Sequence, residues 1–458
     1  MAKCLVLILL VAILLFAALP QDMDARKDSP TVGDRAQGRL EERDRLRVLY
    51  LRGEPYQMGF QQGLLLRDEI RALVRDFLYG DLVLGSGVPY PLLLAHARLL
   101  QNYIPHEYRE EIQGIAEGAG VSYLDILILH TFPDSIQQPF PLQAARTILT
   151  ATQVSSPPKP PELLATSMEL KLPGPTSVAE VAREQGAVTT DEDFYPCANL
   201  AVWGEATRDG KLLHGLEVGY PDRDFLERYG VVVVREPAVG NASITIGWAG
   251  MAGALAGLNE EKISVGWMAT PSQDTSTTGM PVPFLVRQVL DRVGDLSTAL
   301  RVVASSTRTL GGTLLIGDGK PPKAVIIEFS AHRYSVLEAE GSFLFHTGHY
   351  LKPDLLETEQ FLFTSDMSPS AKVSVGRYMD LQERLQANYG WFSAGKVTAL
   401  LRRTGQALTG RARSIRSQSC WSDSSYSVVM AASDLHLWIE GPHSASEQAP
   451  SWQLSLPP

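Results

Sequence analysis

Cys197 is the residue whose type and setting best suit nucleophilic chemistry. It opens Cys197-Ala198-Asn199-Leu200-Ala201-Val202-Trp203-Gly204, and a polar turn at Arg208-Asp209-Gly210 leads into Lys211-Leu212-Leu213-His214-Gly215. Two apolar runs around an Asp-Gly turn predict a β-hairpin that starts almost on the cysteine. If the chain is cut just before Cys197, the thiol carries its own base. The freed α-amine, with a pKa of about 8, suits proton transfer near neutral pH. Other chemical candidates are sparser. His214 falls on the second strand, where a packed or surface role is the ordinary one. His346 and His349 flank Thr347-Gly348, and no further Cys or His pair sits at ligand spacing, so neither a zinc site nor any other metal or cofactor is expected. Cys420 reads as a small packed residue. A disulfide between Cys197 and Cys420 is the alternative in an exported chain.

The elements that must position these residues follow from the pattern around them. A chain of 458 residues with 45% hydrophobic content can bury a large core. Its net charge of −10 offers no basic excess for phosphates, which excludes a nucleic-acid binder. Met1-Ala2-Lys3 and the apolar run from Cys4 to Leu19 form an export segment, short of the roughly 20 residues of a comfortable bilayer span. Residues 1–20 therefore read as a signal peptide or N-terminal anchor, and the protein as periplasmic, extracellular or membrane-anchored. Residues 21–46 read as a spacer. Residues 47–196 form an N-terminal segment with a short strand at 47–50, a helix running from the Gly53-Glu54-Pro55 region through Phe77, and helices over 91–103 and 107–118. Ser155-Ser156-Pro157-Pro158 and Leu172-Pro173-Gly174-Pro175 mark an exposed linker near 155–175, the texture that a processing region needs. From residue 197 to 458 the chain is strand-rich, with strands expected near 200–206, 211–218, 231–235, 243–249, 263–268, 313–316, 324–329, 335–339, 343–346, 427–431 and 435–439. Helices are expected over 283–303, 372–385 and 395–408. Strand runs broken by helical blocks predict α+β architecture, antiparallel sheets with helices outside.

Four pieces of sequence resemble the autoproteolytic acyltransferase/hydrolase family of N-terminal-nucleophile (Ntn) hydrolases, the peptidase C45 or isopenicillin-N acyltransferase type. Gly53-Glu54-Pro55-Tyr56-Gln57-Met58-Gly59 with Gln62-Gly63 is similar to the family's N-terminal element. Gly114-Ile115-Ala116-Glu117-Gly118-Ala119-Gly120 is similar to its helix and turn. Cys197 with Ala201-Val202-Trp203-Gly204 and Asp209-Gly210 resembles the nucleophile hairpin, and Gly257-Leu258-Asn259-Glu260 with Ile263-Ser264-Val265 a later one. The resemblance, which runs from about Arg47 to the end, implies an αββα four-layer sandwich and self-cleavage between Pro196 and Cys197. It further implies hydrolysis or transfer of an acyl group from an amide. Cys197, Asn259 and Arg377 are the catalytic residues it points to. Two self-cleaved fragments are expected to stay associated around a small-molecule acyl amide or lipid-like substrate.

The chain departs from the family where helper residues belong. The family's Arg-x-x-Asp falls on Leu216-Glu217-Val218-Gly219, with Glu217 or Asp222 as shifted carboxylates, and an offset of one residue on a strand reverses the face. Its Thr-Asn-His element reads Thr347-Gly348-His349, whereas Asn259 and the Ser374-x-x-Arg377 arginine are kept. Asn259 equally suits a hairpin tip and Arg377 a helix surface or ion pair. Two further readings stay open: a lipid amide or ester hydrolase of phospholipase B-like or ceramidase type, with acyl-pocket residues among 248–258 and at Trp267-Met268, and an inert binding protein on the same fold. Asn241-Ala242-Ser243 is a glycosylation triplet, meaningful in a eukaryotic secretory host.

Overall fold

The hairpin after Cys197 forms where its alternation places it, as the centre of one of two stacked sheets. The computed structural model describes residues 38–43, 46–85, 87–136, 198–218, 225–359, 369–409, 426–440 and 452–456. In chain order it begins with β1 (Arg39–Arg43), β2 (Leu46–Gly53), α1 (Pro55–Leu65) and α2 (Arg67–Ala72). A π-helix (Leu73–Gly85), α3 (Tyr90–Gln101), α4 (His106–Ala119) and α5 (Tyr123–Ile136) follow. The strand-rich part carries β3 (Asn199–Gly204), β4 (Gly210–Val218), α6 (Phe225–Tyr229), β5 (Gly230–Pro237), β6 (Ser243–Trp248), β7 (Ala256–Asn259) and β8 (Ile263–Ala269). Next come α7 (Val282–Arg292), α8 (Leu296–Ser305), β9 (Gly312–Gly319), β10 (Pro322–Phe329), β11 (Tyr334–Glu338) and β12 (Phe343–His346). The chain closes with α9 (Pro353–Leu356), α10 (Pro369–Ala387), α11 (Ala394–Thr409), β13 (Tyr426–Ala431), β14 (His436–Glu440) and β15 (Trp452–Ser455).

Nine strands form one sheet in the order β1-β2-β5-β6-β7-β8-β9-β10-β11, and six form the other in the order β12-β3-β4-β13-β14-β15. The inner faces of β9 and β10 pack on β3 and β4. Helices α1, α7 and α8 cover the outside of the large sheet, while α10 and α11 cover the small one through Leu381, Leu385, Val397 and Leu401. This is the αββα four-layer sandwich that the resemblance implies. Glycines make the close sheet-to-sheet approach possible. A Cβ on Gly266 would stand 3.0 Å from the Asn199 side-chain amide nitrogen, and one on Gly317 2.6 Å from Leu212 Cδ2.

Two of the family-like motifs turn out to be one packing seam. Gly59 and Gly63 on α1 face Gly114 and Gly118 on α4, and a Cβ at Gly114 would lie 2.2 Å from the Tyr56 carbonyl oxygen. A side chain there cannot be absorbed, so both helices need glycine at that spacing. The salt-bridged Glu111 on α4, with Arg235 and Arg287, ties this helical segment to the strand-rich part in a site that water does not reach.

Several expectations need correction. The 21–46 spacer ends early, because Arg39–Arg43 forms β1 on β2. Its charged side chains hide an edge strand that needs little apolar surface. The sheets are not wholly antiparallel, since β2 pairs in parallel with β5. The helix expected over 283–303 is two helices, broken at Val293–Gly294–Asp295 where Asp295 caps α8 by accepting from Thr298 N at 2.8 Å. No helix is expected from sequence at α5: it is buried on nearly all sides, and its polar residues Asp125, His130, Thr131, Asp134 and Ser135 are buried with the apolar ones, which erases the 3.6-residue period. The N-terminal export segment and the Pro-rich linker lie outside the described residues. Among those described, no single helix is long and apolar enough to cross a membrane.

Candidate active site

Strand pairing decides what surrounds the start of β3. Asn199 is opposite Leu216 of β4 on one side and His346 of β12 on the other. The carbonyl of Ala198, itself buried, accepts from Glu217 N at 3.0 Å. Because β12 runs antiparallel to β3, Ala198 and the Thr347–His349 segment leave the sheet at the same end. Asn199 projects between the sheets. Its amide nitrogen donates to Gly266 O at 3.0 Å and its Oδ1 lies 2.7 Å from His214 Nε2. His214 Nδ1 is 3.0 Å from Ser264 Oγ, so one imidazole bridges both sheets. Burial pulls its pKa down to about 3, which fixes it as a neutral linker at ordinary pH.

The chain after β12 is held by two carboxylates. Glu328, on β10, receives His346 Nε2 at 3.0 Å, Leu351 N at 2.6 Å and Lys352 N at 2.9 Å. His346 Nδ1 accepts from Gly348 N at 3.2 Å, so both of its nitrogens are engaged. Glu359 receives Tyr350 N at 3.2 Å, and burial pushes its carboxyl up to about 8. Gly348 has φ +96°, a conformation for which glycine is the natural residue. Helix α10 closes the loop from the other side. Ser374 Oγ donates to Thr347 O at 2.6 Å, Thr347 Oγ1 donates to Ser374 O at 3.0 Å, and His349 Nδ1 lies 2.7 Å from Ser374 Oγ. Arg377, one turn on and 2% exposed, is thereby brought to this end of the small sheet.

The residues singled out from sequence separate on this scaffold. Pro196 and Cys197 lie outside the described residues, as do Gly219, Asp222 and Cys420; chain continuity ties Cys197 to Ala198. Asn259 sits at the end of β7 in the large sheet. Its Nδ2 donates to Leu290 O and Val293 O at 2.9 and 2.8 Å, and its Oδ1 accepts from Ile263 N at 2.9 Å. Both N–H donors of that carboxamide cap α7 and its oxygen helps close a hairpin, which is the turn role. Asn241 donates to the same two carbonyls, both at 3.2 Å, so the glycosylation triplet is built into the same cap.

Glu217 shares a strand face with Gly215, which packs on Val397 and Leu401 of α11, whereas Leu216 faces Gly266 between the sheets. The irregularity in this hairpin falls between Val202 and Gly204, at its far end, and leaves Glu217 on the helix side. Ser427 Oγ donates to it at 3.0 Å. His214 is a packed residue, as its ordinary reading had it. Trp248 and most of residues 249–258 are buried in the main core. Glu328, Ser374 and Asn199 carry the local architecture and were not singled out. A glutamate in an apolar strand, Ala324-Val325-Ile326-Ile327-Glu328, is the signal that could have found the first.

With this geometry in hand, the fold class is clear: two stacked sheets with helices outside form an αββα sandwich, with a hairpin beginning beside Ala198. The sequence resemblance holds as well. Residues 225–416 match the family described as acyl-coenzyme A:6-aminopenicillanic acid acyl-transferase, a match that begins beyond Cys197. Among curated proteins, an uncharacterized protein of Archaeoglobus fulgidus is 24% identical over 389 residues, covering 77% of this chain and 57% of that protein. Protein dcd1A of Dictyostelium discoideum is 22% identical over 403 residues, covering 80% of this chain and 74% of its own. The chain thus spans little more than half of the archaeal protein. Among solved structures, a Caenorhabditis elegans ortholog of N-acylethanolamine-hydrolyzing acid amidase is 16% identical, with 57% of this chain and 100% of that one covered at a TM-score of 0.36. Penicillin V acylase from Agrobacterium tumefaciens is 11% identical, with 57% and 86% covered at a TM-score of 0.38.

Proposed function

We propose that this chain is an exported Ntn cysteine amidohydrolase or acyltransferase, cut between Pro196 and Cys197 and acting on an acyl-amide bond. The observation that carries this reading is the register of β3 with β12, which brings Ala198 and the Thr347–His349 loop to one end of the small sheet. In the mature protein the α-amine of Cys197 serves as base, the thiol attacks the acyl carbon, and an acyl-enzyme forms that water or an amine resolves. Arg377 is the cation at hand for a carboxylate or a developing oxyanion. The apolar run at residues 4–19 supports export.

Substitution of the helper positions favours a second reading, in which the fold is kept and catalysis lost. Leu216 is 1% exposed and packs between the sheets where the family has arginine, and Gly348 stands in place of asparagine. Intact-mass analysis of wild type beside Cys197→Ala decides between them. Active protein yields fragments ending at Pro196 and starting at Cys197, while the variant stays whole. A wild-type chain that remains whole on prolonged incubation rejects the enzyme reading. Among active outcomes, an acyl chain-length series separates a small amide from the lipid-like substrate of the ceramidase-type alternative.

A further inference from the structure

Trp391 is a large aromatic side chain that the fold sets out in the open. It is 58% exposed, in the short connection between α10 and α11, yet its backbone is firmly braced. Trp391 N donates to Asn388 O at 3.0 Å, and Gly390 before it holds φ +81°. The next residue, Phe392, is buried in the apolar core beneath the two helices. Phe392 N donates to Ala206 O and Arg208 N to Phe392 O, both at 3.2 Å, which ties the connection to the β3–β4 turn. A ring of this size left in water forgoes its hydrophobic burial, and no looseness of the chain accounts for that here.

Two cations stand against the same ring. The Arg208 guanidinium lies 5.7 Å from its centroid and Lys396 Nζ 5.8 Å. Neither enters an ion pair among the described residues, not even with Glu205 or Asp209 of the same turn. Asp209 instead accepts from Lys211 N at 3.2 Å within the hairpin turn. Contact with an indole positions a cation without neutralising it, so both charges stay available to an incoming anion. Tyr389, 38% exposed and edge-on to Phe343 at 6.3 Å, adds a second exposed ring two residues away.

We propose that Trp391, Arg208 and Lys396 form a docking site for a segment of a partner protein that presents a carboxylate beside an apolar side chain. The carboxylate is met by the guanidinium and the ammonium, and the apolar side chain packs on the indole. Tryptophan, tyrosine and arginine are the residue types that carry most energy at protein interfaces. A polyanion or an anionic membrane fits less well. The chain's net charge of −10 repels an extended negative surface, whereas one carboxylate needs only the two local cations. The site lies at the turn end of the β3–β4 hairpin, away from Ala198 and the Thr347–His349 loop, so it stands apart from the proposed active site.

The test is selection from a phage-displayed library of random heptapeptides on the immobilised full-length chain, with Trp391→Ala as counter-selection. Sequences with Asp or Glu next to Phe, Leu or Ile are expected to be enriched. The selected peptide, synthesised with a fluorescent label, is then titrated by anisotropy. Arg208→Gln, Lys396→Gln and Trp391→Ala should each weaken binding on the order of 10-fold, as should replacing the acidic residue of the peptide with its amide. Binding should also fall as sodium chloride is added. An unchanged circular dichroism spectrum is expected in all three variants, and the two charge substitutions decide the matter if Trp391→Ala disturbs the connection. A selection that returns no peptide sensitive to these substitutions overturns the proposal, as do selected peptides without an acidic residue. Vesicles of phosphatidylserine and phosphatidylcholine that bind wild type and lose binding in the same variants overturn it too, by making the occupant a membrane.

Discussion

Asn199, His214 and Ser264 form a hydrogen-bonded chain across the space between the two sheets, at the end of β3 that follows Cys197 directly. All three are buried, so each partner of the imidazole depends on it. His214→Leu fills similar space but strands Asn199 Oδ1 and the Ser264 hydroxyl, and each buried orphan costs about 1–3 kcal/mol. The expected loss is on the order of 3 kcal/mol in urea unfolding. Adding Asn199→Leu and Ser264→Ala should return part of it, because unmade hydrogen bonds rather than lost volume cause the damage. A triple variant no more stable than His214→Leu alone would point to packing instead. Arg377 was singled out from its Ser374-x-x-Arg377 context, and it lies buried on α10, three residues after the Ser374 that binds the Thr347–His349 loop. Asn259 was equally legible and caps α7, since an asparagine at a hairpin tip has the same sequence signature whether it caps a helix or faces a ligand.

Helices α1 and α4 show how much an element can hide in a motif. Their glycines were readable as family-like text, but their purpose is contact, with backbone against backbone at Gly59, Gly63, Gly114 and Gly118. Gly114→Ala would place a methyl carbon 2.2 Å from the Tyr56 carbonyl oxygen and push the helices apart. In an isolated helix the same change stabilises by about 1 kcal/mol. Here a loss on the order of 3 kcal/mol is expected, read as a fall in thermal midpoint, because close-packed backbones have no side chain that can move aside. Gly395→Ala near the start of α11 is the control: nothing lies within 4 Å of the added carbon, and an unchanged or slightly higher midpoint is expected there. A Gly114→Ala midpoint equal to wild type would refute the seam. The strands were readable from alternation with ends close to those observed, as at 343–346. Helix α5 and strand β1 were not: full burial removes the helical period from the first, and an edge position removes the apolar face from the second.

At the scale of the whole molecule, buried ionisable groups of two kinds set opposing pH limits. Burial pulls the imidazoles down, to about 4 for His96, His130 and His349 and about 3 for His214. An unfolded histidine titrates near 6.5, so between these values the unfolded chain binds more protons and stability rises with pH. Above about 6.5 that gain is complete. Burial raises Asp134 to about 7 and Glu359 to about 8. Their folded forms keep protons that unfolded carboxyls release from about pH 4 upward, so these groups weaken the fold as pH rises toward 7 and 8. Each group in its window contributes a slope of at most about 1.4 kcal/mol per pH unit. Four histidines outweigh two acids on the acidic side, and beyond the histidine window the acids act alone. Stability should therefore peak at about pH 6.5. Urea midpoints measured from pH 4.5 to 8.5 test this, and a midpoint still climbing at pH 8 contradicts it. Asp134→Asn should flatten the alkaline decline and leave the acidic limb in place, because the asparagine can still accept from Thr309 Oγ1 and carries no charge to bury.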